Sequence, residues 1–351
     1  LLASPRYGER WGQHWLDLVR YAESDGYRAD GYRPDTWRYR DYVIRSFNED
    51  KPYDQFVREQ LAADEFAPHD PETLIGTAFL RLGIYEWNQR NARMQWDLIM
   101  TEMTNVTGEV FLGLGIGCAQ CHDHKFDPIL QKDHFALQAF LNSTWWPENH
   151  PLATEEELED YQRRLGKWEK ATADIRDEIH EIQKAKLDGD SNNTVKQFPE
   201  DIQAVFKKPA EQRTAHEEQL AQLVQRQVDN KRQKINWEKE LAKEDETLAN
   251  YKALQARLAK FDHLKPNELP RAFISTDVGP HAAATKLKTR DGEQVIEPAF
   301  LTLLTQSPPD ISPTEATTGR RSALADWIAN GDNPLSTRVI TNRIWQYHFG
   351  S

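Results

Sequence analysis

Apolar residues in the first part of the chain recur with helical spacing. Trp11, Trp15, Leu18 and Ala22 fall at i, i+4, i+7 and i+11, one face of an amphipathic helix over residues 5–21. Trp37, Tyr42, Val43 and Phe47 give the buried side of a second helix over residues 35–47. Phe56, Val57 and Leu61 do the same for a third over residues 53–63, after a break at Asn48-Glu49-Asp50-Lys51-Pro52. A turn at 68–72, a short helix at 73–81 and longer ones at 96–112 and 131–142 complete a helical domain over residues 1–150. Between the first two helices Asp-Gly-Tyr-Arg occurs twice within residues 23–35, and its glycines and proline make it a loop.

From Thr154 the texture changes. Leu158, Leu165, Thr172, Ile179 and Lys186 are seven apart, with Tyr161, Trp168, Ile175 and Ile182 between them, so residues 151–265 read as a coiled-coil arm. Glycine, asparagine and proline over residues 187–212 predict a break, and a second charged helix follows over residues 211–262. A hairpin of two antiparallel helices is the simplest solution; pairing with a coiled-coil partner is the alternative. Runs at 271–276, 284–288 and 294–296 predict a small β-element within residues 266–310, and residues 311–351 read as the start of a C-terminal helical domain. The fold class expected is mainly α, with a long antiparallel coiled-coil hairpin insertion and a small β-element.

Composition sharpens this picture in two places. A mean hydropathy of -0.78 matches an insertion that is mostly solvated face. A net charge of -12 argues against a nucleic-acid partner and permits a basic redox partner. No run of 18 apolar residues exists, so no transmembrane segment is expected.

The chemistry concentrates in Cys118-Ala119-Gln120-Cys121-His122, which holds the only two cysteines of the 351 residues. Two thiols three positions apart can add to the two vinyl groups on one edge of a porphyrin, and the next residue offers an imidazole to the iron. This predicts covalent haem c on Cys118 and Cys121 with His122 as proximal metal ligand. A redox disulfide and a zinc site with His124 are the rival readings. The preceding run Phe111-Leu112-Gly113-Leu114-Gly115-Ile116-Gly117 would let backbone approach a flat macrocycle. For the sixth iron position the candidates are His14, His134 and Met103, in that order. Arg28, Arg33 and Arg38 of the loop region could pair with haem propionates, since a planar guanidinium matches a carboxylate.

Four stretches carry a resemblance. Arg10 to Asp17, Trp37 to Ile44, Asn48 to Asp54 and Cys118 to Pro128 resemble the planctomycete cytochrome-c-associated family of uncharacterised multidomain proteins. Arg320 to Trp327 and Asn342 to Gln346 resemble the opening of that family's C-terminal domain of unknown function. The resemblance implies that Cys118, Cys121 and His122 occupy the family's Cys-x-x-Cys-His positions. It also implies an exported multidomain protein with a cytochrome-c-like domain ahead of this region.

Three functions follow as expectations. The first is an extracytoplasmic c-type haem protein passing electrons to a redox partner domain or protein. The second is a haem-dependent oxidoreductase acting on an extracellular polymer, with an open iron position near His124 and Asp127. The third is a non-haem scaffold with a disulfide or metal at the cysteines. Covalent haem and stable disulfides both belong outside the reducing cytoplasm, so a periplasmic location is expected, with an export signal upstream of Leu1.

Overall fold

The computed structural model describes residues 2–350. Six helices open the chain: α1 (Arg6–Leu18), α2 (Trp37–Asn48), α3 (Tyr53–Phe66), α4 (Pro71–Leu74), α5 (Ala92–Thr107) and α6 (Gln131–Leu141). Their starts follow side-chain chemistry. The Asp70 carboxylate accepts from Glu72 N–H at the head of α4, and Asn91 accepts from Met94 N–H at the head of α5. Trp15 anchors the core, its indole N–H shared between Tyr39 Oη at 3.1 Å and Gln60 Oε1 at 3.0 Å. The first helix is shorter than its pattern predicts. It stops at Leu18, Arg20 turns into the left-handed region, and Ala22 is exposed while Val19 is buried.

The insertion is a hairpin, yet it does not project freely. Helix α7 (Glu155–Val195) starts at a capping box between Thr154 and Glu157 and runs on through Gly189, where a break was expected. Its last residues explain this, because Val195, with Phe198 of the following turn and Ile202 of α8 (Glu200–Lys207), enters the main core. That burial outweighs the roughly 1 kcal/mol cost of one glycine in a helix. The expected second helix is three: α9 (Ala215–Gln233), α10 (Trp237–Leu241) and α11 (Asp245–Ala259). Leu220, Leu223, Val224 and Val228 of α9 lie in the same core, and the Gln219 amide donates to the carbonyls of Asn142 and Thr144, both at 3.0 Å.

Antiparallel pairing runs the length of α7. Ser191 meets Arg232, Gln183 meets Tyr251 at 3.4 Å, and Glu178 meets Arg257 at 3.5 Å. Thr172 and Ile175 of α7, and Tyr251 and Leu254 of α11, are buried within the hairpin. The apolar seam is thus covered by the same chain. At the open end Leu152 N–H donates to Pro270 O at 2.7 Å and the Leu152 side chain enters the main core, so both ends are tied to the body and the hairpin forms a strap.

The β-element is two antiparallel pairs. β1 (Thr144–Trp145) pairs with β2 (Thr276–Asp277), and β3 (Thr285–Thr289) with β4 (Gly292–Ile296), packed on Ala136 of α6 through Leu287 and Ile296. The predicted strand over residues 271–276 contributes only its last residue to a ladder, beside a single bridge from Arg271 to Pro151.

Two helices end the chain, α12 (Arg320–Ala329) and α13 (Ser336–Phe349). Helix α12 is riveted to α3 by Arg321, which is fully buried. Its guanidinium donates to Asp64 Oδ1 at 2.7 Å and Asp64 Oδ2 at 2.5 Å, and to Asp277 Oδ1 at 2.9 Å. Glu65 accepts the backbone N–H groups of Arg321 and Ser322 at the same helix start. A kink at Ala62 turns α3 just before these two acids.

Candidate functional site

The cysteine turn is built at the far end of α5. That helix widens into a π turn at Gly108–Leu112 and stops at Gly113, whose φ of 65° is the left-handed conformation open to glycine. The glycines of this run serve close packing within the chain. A Cβ on Gly113 would lie 2.7 Å from Val339 of α13, and one on Gly117 would lie 2.9 Å from Asn105. A short 3₁₀ turn, Ile116–Gln120, then buries Ile116 and Ala119 and leaves Cys118 and Cys121 exposed. Gln120 ties the turn to Thr101 of α5 at 3.1 Å, and Gln131 of α6 donates to the Gln120 carbonyl at 3.0 Å.

Both cysteines are free thiols. His122 is exposed, and its Nδ1 lies 2.7 Å from the carbonyl oxygen of Asp123. A carbonyl only accepts, so Nδ1 carries the hydrogen and the lone pair of the neutral ring is on Nε2. His124 has the reverse arrangement. Its Nδ1 accepts Asp127 N–H at 2.8 Å and Phe126 N–H at 3.3 Å, folding residues 124–127 into a tight loop. Among the described residues, no group of three or more His, Cys, Asp or Glu side chains converges to hold a metal ion.

The proposed sixth ligands lie apart from one another. His134 is buried on α6, 3.2 Å from Asn105 Oδ1, and burial alone pushes its pKa down to about 4. Met103 sits in the core. His14 stacks on Tyr347 of α13, with ring centres 3.9 Å apart, inside a 490 Å³ aromatic pocket whose walls include Trp11, Phe47 and Arg343. Burial, then Arg10, hold its pKa below the usual value.

The three arginines also separate. Arg33 is buried, with Nε donating to Asp25 at 2.6 Å and Nη2 to the Gly83 carbonyl at 2.6 Å; burial lowers its pKa against the pull of Asp25. Arg38 is half-buried over the ring of Trp37, and Arg28 is exposed in the loop. None of the three bonds to a residue of the cysteine turn.

The donor set fits a c-type haem: two free thiols and one imidazole on a single exposed turn, with the imidazole in the ligating tautomer. A closed slot does not accompany it. A cavity beside the turn, lined by Leu114, Pro128 and Leu301, holds only about 110 Å³, and with both thiols exposed a macrocycle here would lie on an open face.

Sequence reasoning missed Arg81, Glu148 and Arg226, which gather around a wide cleft beside Arg33, and it missed the Arg321 cluster. Only Arg226, a cation between the core residues Val224 and Val228 on one helix, carried a local signal.

Residues 1–145 match the family PSCyt2, a protein of unknown function (DUF1549), and residues 320–351 match PSD1, a protein of unknown function (DUF1553). No curated protein and no solved structure matches the chain. The cysteine turn and α1 to α6 lie within the first match and the Arg321 helix within the second, and both matches fit the resemblance to the planctomycete cytochrome-c-associated family of proteins of unknown function.

Proposed function

We propose that the chain carries a covalent haem c on an exposed face and serves as an extracytoplasmic electron-transfer module of a larger protein. The observation that supports this is His122. Its Nδ1–H is held by the Asp123 carbonyl, so Nε2 is available as a ligand beside two free thiols on the same turn. Cys118 and Cys121 would anchor the group through thioethers, and the group would supply one-electron chemistry. The exposure of this turn lets a redox partner approach closely. The family's association with cytochromes supports the same reading. Among the described residues, no helix is long and apolar enough to cross a membrane.

Alkaline pyridine spectroscopy of the denatured protein, produced in a host with cytochrome c maturation, tests this. A haem spectrum that stays with the polypeptide and disappears in Cys118→Ala/Cys121→Ala is the expected result. In His122→Ala the covalent signal should persist while the native spectrum shifts. A polypeptide that carries no covalent haem under these conditions overturns the proposal.

A further inference from the structure

A wide cleft lies away from the cysteine turn, where the loop of residues 25–35 meets the strap and the segment at 271–273. It encloses about 850 Å³. Six cations line it, Arg33, Arg81, Arg226, Arg232, Lys234 and Arg271, against four carboxylates, Asp25, Asp35, Glu148 and Asp229. That local excess of positive charge stands in a chain whose net charge is -12.

The inner cations are buried on aromatic rings. Arg226 lies 3.9 Å from the ring centre of Tyr85 and 5.0 Å from that of Trp87. Arg81 and Arg33 both stand over Phe273, at 4.3 and 5.1 Å. Burial lowers the Arg81 pKa to about 10 despite the nearby Glu148, and the charges of Arg226 and Arg33 add to the depression. Among the described residues, Asp25 and Glu148 are the carboxylates paired with these three guanidiniums. Glu148 is shared between Arg81 at 2.8 Å and Arg226 at 3.0 Å.

Hydrogen bonding leaves the same shortfall. The buried Nε–H groups of Arg81 and Arg232 have no hydrogen-bond partner, and that of Arg226 meets Glu148 Oε1 at 3.0 Å only in poor alignment. A buried donor without an acceptor costs about 1–3 kcal/mol, more when charged. A cluster serving only the fold would match its charges and close its space. Here the space stays open, and two of these Nε–H donors lack an oxygen while the third meets its carboxylate off-axis. We propose that this cleft binds a ligand bearing two or more oxyanion groups, carboxylate, sulfate or phosphate. One group would be held by the Arg81–Arg226 pair and another by the rim of Arg232, Lys234 and Arg271. Planar guanidiniums suit such groups through paired N–H donors.

The site is independent of the cysteine turn, and its test does not involve haem. Isothermal titration of the whole chain at low salt would use citrate, inorganic phosphate and sulfate. Citrate should bind saturably and at least about tenfold more tightly than either inorganic anion, with affinity falling as salt is raised. If phosphate or sulfate outbinds citrate, the two-group proposal fails. The rim double variant Arg232→Gln/Lys234→Gln should weaken citrate about tenfold, while Arg163→Gln, on the exposed face of α7, leaves it unchanged. Arg226→Lys keeps the charge but loses the planar fork, and should also weaken binding with an unaltered circular dichroism spectrum. Absence of citrate binding up to about 10 mM, or equal loss in the Arg163 control, overturns the site.

Discussion

The cysteine turn and the Arg321 cluster are opposite solutions to placing reactive or charged groups. At the turn, Cys118, Cys121 and His122 are exposed and their placement depends on a few local hydrogen bonds. In the cluster, Arg321 is sealed among Asp64, Glu65 and Asp277, and every partner comes from a distant part of the chain. The first can change its chemistry without disturbing the fold. The second has no chemistry to offer solvent and holds the C-terminal helices on the body.

The sharpest way to break this contrast is Arg321→Met. Removing the single cation leaves three enclosed carboxylates unmatched, and the expected loss is about 4 kcal/mol in urea unfolding. A loss under about 1 kcal/mol would mean that the cluster is not what fastens α12 to α3.

A smaller effect comes from Glu65. Burial, partly offset by Arg321, raises its pKa to about 7 from an ordinary 4.5. The folded protein therefore binds an extra proton between those values. This group's contribution is fully present below pH 4.5 and disappears as pH rises through about 7. Buried His134 acts oppositely: its depressed pKa gives stability above 6.5 that is lost as pH falls through about 4. The difference between wild type and Glu65→Gln isolates the acid, and should change by up to about 3 kcal/mol between pH 4.5 and 8. A difference that is flat across that range would show that Glu65 is ionised throughout.

Gly319 precedes the cluster with a φ of 66°, and a Cβ there would lie 2.3 Å from the Ser312 carbonyl oxygen. Gly319→Ala should cost about 2 kcal/mol in the same unfolding assay. Smallest of all is Cys118→Ala/Cys121→Ala. Exposed and unpaired, the two thiols should contribute less than about 0.5 kcal/mol to the apoprotein, although their loss abolishes haem attachment. A larger loss of apoprotein stability would assign the turn a structural role.

Legibility followed the range of the interactions. Trp15, Tyr42, Val43, Phe56, Val57 and Leu61 were readable as core from spacing alone and are buried. The Cys-x-x-Cys-His turn was readable because five consecutive residues contain its whole donor set. The continuation of α7 through Gly189 was not, since Val195 and Phe198 reward it only once the body is present. Nor did the sequence separate His14, His134 and Met103, which differ in surroundings rather than in type.

By itself the sequence determined a mainly helical chain, a long coiled-coil insertion, a small β-element and the donor set at residues 118–122, because these depend on periodicity and short spacing. Tertiary structure alone decided that the insertion is tied down at both ends and that Arg33, Arg81 and Arg226 share one cleft. It also decided that Arg321 closes a cluster with Asp64, 257 positions away, and Asp277, 44 positions away. The physical reason is that burial and charge pairing are properties of neighbours in space, and no window of sequence contains both members of such a pair.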